Sequence, residues 1–257
     1  MPLVIYEKKG RTAYITLNRP EALNAMNHEA MSEFGKARLD FKNDPDVWIC
    51  ILSGAGGKAF SVGADVKELA DKWSEGEISS HEEREVPETE WETNKPMIAA
   101  IDGWCIGGGL EWAMGCDLKV ATAKSRFGVP EPKVGRNIGG GATYMLPAQI
   151  PYAIAMEMLL TGDPIDARRA YEAGLINQVV ESSEELMPAA EKMAERVLAC
   201  APLSIRLNKE QVKRQFNQPI PVQVSMCNIG EEINLSQDAQ EGVRAFAEKR
   251  KPDWQAK

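Results

Sequence analysis

The chain has 257 residues, of which 44% are hydrophobic and 26% charged, and its net charge at pH 7 is −8. This composition is enough for a large folded core and differs from that of a disordered chain, while the acidity disfavours non-specific nucleic-acid binding. No apolar run approaches the roughly 20 residues that span a bilayer, and the N-terminus lacks the pattern of a signal peptide. We therefore expect a cytoplasmic protein without membrane or nucleic-acid partners.

Cysteine and histidine are too few and too scattered to suggest a metal or disulfide site. The five cysteines show no CxxC spacing and fit reduced core thiols. His28 and His81 lie in ordinary surface contexts and leave few members for a Ser-His-Asp triad or a histidine metal cluster. We expect no metal, and we expect acid–base chemistry to depend on carboxylates.

Short β-type runs alternate with helical patterns in the first half of the chain, which indicates an α/β fold. The predicted strands are Ala13–Leu17, Trp48–Ser53, Pro96–Ile101 and Leu118–Thr122. Between the first two, helical spacing predicts a crossover helix with an apolar face formed by Met31, Phe34, Ala37 and Phe41. The acidic stretch 71–92 has little apolar periodicity, so we expect a mobile segment beside a binding site.

From about residue 183 the pattern is mostly helical. Ser182 and Glu185 have the spacing of a capping box at a helix start. The apolar face predicted for that helix consists of Leu186, Ala190, Met193 and Val197.

A last helix is predicted to open at Asp238 and Glu241, with Val243 and Phe246 facing inward. It would end in the basic cluster 249–251, just before Pro252. Cations at a helix C-terminus favour the macrodipole, so the cluster fits an ordinary helix end. Contact with an anionic ligand is the alternative.

Three segments are rich in glycine: residues 53–69, 103–114 and 136–147. None has the GxGxxG dinucleotide fingerprint in its required position after an early strand, and Ala59 after Gly57-Lys58 breaks the P-loop pattern. In the middle segment, GGGLEWAM, Glu111 stands among apolar residues. Because a buried carboxylate is costly unless paired or raised in pKa, Glu111 is either solvated on an outer helix face or held in a site.

Four motifs occur together in order along nearly the whole chain: KAFSVGADVKE from Lys58, PMIAAIDGWCIGGGLEWAMGCD from Pro96, RFGVPEPKVG from Arg126 and EGVRAFAEKRKPDW from Glu241. NRPEALNAMN, from Asn18, precedes them. Together they resemble the enoyl-CoA hydratase/isomerase superfamily, the crotonase family. The resemblance implies an α/β core, residues 1–190, built as a spiral of ββα units around an acyl-CoA site. It implies a C-terminal helical region, residues 191–257, that forms homotrimers or homohexamers.

The resemblance also implies the site residues. Backbone N–H groups of Ala64 and Gly108 would form an oxyanion hole for a thioester carbonyl, a device in which each donor is worth about 3 to 4 kcal/mol. Glu111 and Glu131 match the two catalytic carboxylates of the hydratases. The substrate and CoA would further contact Ala25, Lys58, Asp65, Val66, Lys67, Gly139, Phe246 and Lys249.

The activity implied is hydration of a trans-2-enoyl-CoA, with no cofactor beyond the CoA of the substrate. An enoyl-CoA isomerase or a dehydratase of an unusual hydroxyacyl-CoA is the enzymatic alternative, and an acyl-CoA- or RNA-binding relative is the non-enzymatic one. Ile138, Arg136 and the sequence 140–146 depart from the common hydratase pattern, and Trp104 and Trp112 are bulky neighbours of the oxyanion segment. We expect these departures to bear on the acyl group rather than on the reaction.

Overall fold

The computed structural model describes residues 1–65, 68, 92–135, 138–215 and 236–257. Within them the strands are β1 (Val4–Lys9), β2 (Thr12–Leu17), β3 (Ile49–Gly54), β4 (Ala59–Ser61), β5 (Met97–Ile101), β6 (Trp104–Ile106), β7 (Leu118–Thr122), β8 (Arg126–Gly128), β9 (Ile165–Asp166) and β10 (Gln178–Val180). The α-helices are α1 (His28–Asn43), α2 (Gly108–Met114), α3 (Ala142–Gln149), α4 (Tyr152–Thr161), α5 (Ala167–Glu172), α6 (Ser183–Leu198), α7 (Pro202–Gln215) and α8 (Gln237–Ala247). The acidic segment predicted to be mobile lies almost wholly outside the described residues, as does His81.

The strands form two sheets. The larger has the order β1-β2-β3-β5-β7-β10, with an antiparallel β1–β2 hairpin and parallel pairing from β2 onward. The smaller has the order β4-β6-β8-β9, in which only β9 is antiparallel to its neighbour. The successive pairs β3/β4, β5/β6 and β7/β8 each give one strand to each sheet, which confirms the predicted α/β class.

The four predicted strands are all confirmed in the larger sheet, as β2, β3, β5 and β7, with ends within one residue of the prediction. Its central strands β3, β5 and β7 are buried on both faces, which is why they read as continuous apolar runs. The strands of the smaller sheet were missed, because two or three residues carry too little periodicity to recognise.

Two helices cover opposite faces of the larger sheet. The predicted face of α1 is confirmed, since Met31, Phe34, Ala37 and Phe41 are buried in the main core. On the other face α6 packs Leu186, Ala190 and Met193 against Ile49, Ile51 and Ile98. Val197 of the predicted α6 face is only partly buried.

The predicted capping box at the start of α6 is wrong in its bonding. Ser182 is the N-cap residue, but its hydroxyl makes no capping hydrogen bond to the helix. Glu185 accepts a hydrogen bond from Glu181 N at 3.1 Å instead. The capping-box spacing does mark the start of the helix. The side-chain hydrogen bond, however, goes to the backbone before the helix and not to the N-cap residue.

The predicted opening of the last helix is confirmed, since α8 begins at Gln237 with Asp238 in its first turn. Asp238 and Glu241 also bind the C-terminal tail. The Asp238 carboxylate accepts hydrogen bonds from Gln255 N at 2.7 Å and Ala256 N at 2.9 Å. Glu241 pairs with Arg250 at 2.5 Å. Arg250 of the basic cluster is therefore bound within its own chain, in line with an ordinary helix end.

The cysteine prediction is confirmed in part. Cys50, Cys105 and Cys116 are buried free thiols, and burial raises the pKa of Cys116 to about 11. Cys200 is exposed, contrary to the expectation of core thiols. Cys227 lies outside the described residues.

The proposed division at residue 190 falls inside α6, and the oligomerising role of the region after it stays a prediction. In the described part of the chain, α7 is joined to the body by the ion pair between Lys209 and Asp117 at 2.7 Å. No helix among the described residues is long and apolar enough to cross a membrane.

Candidate active site

The backbone at Ala64 is fixed on both sides by Met26. Met26 N donates to Gly63 O at 2.8 Å, and Asp65 N donates to Met26 O at 3.1 Å. Because a trans peptide is planar, its N–H and C=O point in opposite directions, so the N–H of Ala64 points away from Met26. Ala64 is exposed, and its N–H donates to no other backbone carbonyl among the described residues.

The buried Asn24 braces this segment. Its side-chain amide donates to Ala55 O at 3.0 Å and to Ala59 O at 2.8 Å. Its own carbonyl accepts from Ser61 Oγ at 2.8 Å, and that hydroxyl accepts from Gly63 N at 3.1 Å. The turn before Ala64 is thus connected to the 19–26 segment by hydrogen bonds from both backbone and side chains.

The N–H of Gly108 is oriented by the first turn of α2. Gly107 O accepts from Leu110 N at 3.0 Å and from Glu111 N at 3.2 Å. The same planarity therefore directs the N–H of Gly108 away from the helix, and it donates to no backbone carbonyl in the described part of the chain. Gly107 itself has φ 56° and ψ −133°, which glycine adopts without steric cost.

The two segments touch, and glycine makes this possible. A methyl group on Gly63 would lie 2.7 Å from Gly108 N, and one on Gly109 would lie 2.3 Å from Ser61 O. Neither space admits a side chain. The segments of Ala64 and Gly108, distant in sequence, are therefore packed backbone to backbone.

Glu111 is a bound, half-buried carboxylate rather than a solvated helix residue. Its Oε1 accepts from Ala142 N at 3.0 Å, and Gly140 N also donates to it. Burial, and secondarily the charge of Glu131, raises the pKa of Glu111 above its ordinary value, against the lowering effect of the two backbone donors. The alternative of a solvated outer-face carboxylate is excluded.

Glu131 lies beside the start of α2. It begins a 3₁₀ turn, Glu131–Val134, shortly after β8, and the parallel pairing of Ile106 with Gly128 brings that turn next to the glycine segment. A methyl group on Gly107 would lie 2.9 Å from Glu131 Oε1. The structure thus brings together two carboxylates that are 20 positions apart in the sequence.

Arg19, which sequence reasoning missed, links two predicted CoA-contact residues. Its Nη1 donates to Ala25 O at 2.6 Å and to Asp65 Oδ2 at 3.0 Å. The Arg19 and Asp65 side chains are only 15% and 16% exposed. The Asp65 carboxylate is therefore engaged within the chain. The available signal was an arginine just after a strand in the NRPEALNAMN motif, which does not reveal its partners.

The structure describes only some of the other residues predicted to contact CoA. Lys58 is exposed, and its carbonyl accepts from Trp104 N at 3.1 Å. Gly139 is exposed with open space around it. Lys249 is exposed after the end of α8, whose following tail is bound to α6 through Trp254 Nε1 and Ala199 O at 3.1 Å. Val66, Lys67, Arg136 and the side chain of Phe246 lie outside the described residues.

The two tryptophans near the glycine segment differ. Trp104 is 42% exposed. Trp112 is half-buried, with its ring centroid 5.6 Å from that of Phe34, and a methyl group on Gly108 would lie 3.6 Å from its indole. Of the two tryptophans, Trp112 is the one whose indole borders the space beside Gly108. Ile138 is partly buried against the main core.

No group of three or more histidine, cysteine, aspartate or glutamate side chains is placed to hold a metal ion in the part of the chain that the structure describes.

Comparisons with known proteins agree with the fold and with the motifs. The family model described as Enoyl-CoA hydratase/isomerase matches residues 7–257. (E)-Benzylidenesuccinyl-CoA hydratase of Thauera aromatica is 35% identical over 253 residues, covering 98% of both proteins. Short-chain-enoyl-CoA hydratase of Clostridium acetobutylicum is 36% identical over 250 residues, covering 96% of this chain and 95% of that protein. The crystal structure of enoyl-CoA hydratase EchA1 from Mycobacterium marinum superposes with a TM-score of 0.91 at 38% identity, covering 100% of both chains.

Proposed function

The chain belongs to the enoyl-CoA hydratase/isomerase family, and from this premise we propose that it adds water across the C2=C3 bond of a trans-2-enoyl-CoA to give a 3-hydroxyacyl-CoA. The observation that carries the proposal is the convergence of Glu111 and Glu131 beside the two backbone segments of Ala64 and Gly108. A site with two carboxylates and two backbone donors supplies what hydration needs.

The thioester carbonyl binds to the N–H groups of Ala64 and Gly108. As water attacks C3, electrons move through the double bond to the carbonyl oxygen, and the two donors stabilise the enolate that forms. Because these bonds strengthen as charge develops, they lower the barrier rather than merely bind the substrate.

The carboxylates divide the protons of the water. Ionised Glu111 accepts one proton from the attacking water, whose oxygen forms the bond to C3, and protonated Glu131 gives its proton to C2. Repulsion between two neighbouring carboxylates favours a pair that holds one proton, and the raised pKa of Glu111 makes it a stronger base when it is the ionised member. In the reverse direction the same groups dehydrate a 3-hydroxyacyl-CoA.

The CoA part of the substrate is proposed to bind along Ala25, Lys58, Val66 and Lys67, with Gly139 framing the acyl end. The Asp65 carboxylate is paired with Arg19 instead and is not proposed to contact CoA. The exposed Lys58 supplies positive charge at this place on an otherwise acidic protein. Phe246 and Lys249 are proposed to contact CoA bound to a neighbouring copy in a homotrimer or homohexamer. The reaction requires no cofactor beyond the CoA of the substrate, and a cytoplasmic location stays a prediction.

Loss of the conjugated-thioester absorbance of crotonyl-CoA tests the activity, with a product heavier by one water. We expect Glu111→Gln and Glu131→Gln each to lower kcat by about 10²- to 10⁴-fold, the usual contribution of a general acid or base. Glu172→Gln, which changes an exposed glutamate paired with Arg168, serves as the control and should retain turnover. Wild-type turnover in both site variants would rule out the two-carboxylate mechanism.

The product mass also separates the alternatives. An isomerase gives a product of unchanged mass, whereas hydration adds one water. The two curated relatives above are named for different acyl groups at nearly equal identity, so a panel of enoyl-CoAs that varies length, branching and polarity is needed to define the substrate. A relative that only binds acyl-CoA or RNA turns over none of them.

A further inference from the structure

We infer that Arg19 is a positioning residue that polarises the Ala64 N–H through two peptide groups in series. The inference rests on the proposed function in one respect, namely that this N–H binds the thioester oxygen. It adds a cation, separated from the thioester oxygen by two peptide groups, that strengthens one of the two oxyanion donors.

The first peptide of the series joins Ala25 to Met26. Its carbonyl oxygen accepts a hydrogen bond from Arg19 Nη1 at 2.6 Å. Its N–H donates to Gly63 O at 2.8 Å. The guanidinium therefore draws electron density from the carbonyl and makes the Met26 N–H a stronger donor.

The second peptide joins Gly63 to Ala64. Its carbonyl receives the Met26 N–H, so its own N–H, which points the opposite way, is polarised in turn. The series runs from the Arg19 cation through two carbonyls and two N–H groups to the position of the substrate oxygen. Every bond in it is fixed before substrate binds.

The surroundings favour a strong effect. Arg19 is only 15% exposed, so solvent screens its charge less than that of a surface arginine. The Asp65 carboxylate holds the guanidinium at 3.0 Å, and Asp65 N donates to Met26 O at 3.1 Å, which keeps the relay in register. The benefit grows as the oxygen becomes negative, so it acts on the transition state more than on bound substrate.

The two partners of the ion pair are predicted to differ, and that difference is the test. Arg19→Gln removes the cation, whereas Asp65→Asn keeps it and removes only the compensating charge. Arg19→Lys retains a cation on a single nitrogen, as in the native contact where Nη1 alone makes both bonds. Arg169→Gln, at an exposed pair with Glu157, controls for loss of an arginine–carboxylate pair elsewhere.

Three measurements are made on each variant. Steady-state kinetics with crotonyl-CoA separates kcat from KM. Infrared difference spectra of bound butyryl-CoA carrying a ¹³C-labelled thioester carbonyl report the polarisation of that bond without requiring turnover, and calorimetry gives its Kd.

We expect Arg19→Gln to lower kcat about tenfold, a fraction of the 10²- to 10³-fold cost of losing a whole donor, and to shrink the downshift of the carbonyl stretch. The Kd of butyryl-CoA should change by less than about threefold, since the effect is on developing charge. Asp65→Asn and Arg19→Lys should keep kcat within about threefold of wild type and retain the downshift. Arg169→Gln should behave as wild type.

An ion pair that is merely structural predicts equal losses in Arg19→Gln and Asp65→Asn with an unchanged carbonyl frequency, and this result overturns the inference. Circular dichroism identifies a variant that does not fold; if Arg19→Gln is one, loss of the downshift in Asp65→Asn overturns the inference in its place. Wild-type protein that lowers the butyryl-CoA stretch but hydrates no member of the enoyl-CoA panel refutes the hydratase proposal and leaves the relay intact. Wild-type protein that causes no downshift refutes the relay.

Discussion

The segments of Ala64 and Gly108 meet backbone to backbone, yet they are stabilised in opposite ways. The peptide before Gly108 is oriented by N–H groups of Leu110 and Glu111, three and four residues later in the same helix. The peptide before Ala64 is oriented by Met26, about 40 residues earlier in the chain, with Arg19 behind it. The comparison teaches that one donor is a local product of a helix start, whereas the other depends on tertiary contacts.

The largest expected effect is that of Gly63→Ala, which forces the two segments apart. The methyl group would lie 2.7 Å from Gly108 N, at a residue whose φ of +84° is unfavourable for alanine. Crotonyl-CoA kinetics should show kcat lower by about 10²- to 10³-fold, as for loss of an oxyanion donor, together with a lower Tm.

The matched control is Gly115→Ala at the far end of α2. Its φ is −70°, and the methyl group would contact Trp112 O at 3.4 Å, close to ordinary van der Waals distance. Turnover and Tm close to wild type are expected. If Gly63→Ala behaves like this control, the packing of the two segments is not needed for catalysis.

The next largest effect is expected for Gly140→Ala, which displaces the Glu111 carboxylate from its backbone N–H donors. In Gly140→Ala the methyl group would lie 2.0 Å from Glu111 Oε2, so the carboxylate must leave the N–H groups of Ala142 and Gly140. We expect kcat to fall about 10²-fold, within the range of a lost general base, because Glu111 is misplaced.

Gly140 is exposed and the clash is with the end of a flexible side chain, so the free energy of unfolding should change little. Denaturant unfolding measured beside the kinetics checks this. A loss of stability comparable to that of Gly63→Ala would show that Glu111 supports the fold of the α2 segment and not only its chemistry.

The smallest effect concerns the protonation of Glu111. The carboxylate pair loses its last proton against the charge of the other member. In Glu131→Gln the remaining Glu111 carboxyl should therefore lose its proton at lower pH than the wild-type pair loses its last one, while burial, the first cause, keeps the pKa of Glu111 above its ordinary value. A ¹³C NMR titration of the glutamate carboxyl carbons checks the direction. An unchanged pKa would mean that the two carboxylates are not electrostatically coupled.

The raised pKa of Glu111 also predicts how the free energy of unfolding depends on pH. A carboxyl with a raised pKa binds its proton more tightly in the folded state, so its contribution is present below the unfolded pKa and is lost as pH rises through the folded one. Glu111→Gln should lack this loss. Its free energy of unfolding should therefore fall less than that of wild type between acid and neutral pH, as measured by urea unfolding.

Much of the scaffold was predictable because its signals are local. The strands β2, β3, β5 and β7 are apolar runs, and α1 and α6 carry apolar faces at helical spacing. Residues close together in the sequence therefore reveal which segments are buried in the folded chain. The short strands β4, β6 and β8 have no such signal. They form because the chain that follows each long strand pairs with the chain that follows the next one, β4 with β6 and β6 with β8.

The candidate site was likewise predictable only in part. The motifs named Glu111, Glu131, Ala64 and Gly108 as residues of interest. They did not identify Arg19, and they presented Asp65 as a ligand contact although its carboxylate pairs with Arg19. An arginine in a turn has no periodic pattern, and its partner can be found only when the chain has folded.

By itself the sequence determined where glycine permits close backbone approach, which segments bury themselves, and which carboxylates are available. Only the tertiary structure decided that Glu111 and Glu131 share one charge environment. It alone also decided that Met26, which follows the Ala25 carbonyl bound by Arg19, orients the Ala64 N–H. The physical reason is range. Helix and strand patterns act over a few residues, whereas Coulomb interactions and hydrogen-bonded relays depend on distances in space that the parallel pairing of β6 with β8 and the bridge from Met26 to Ala64 create.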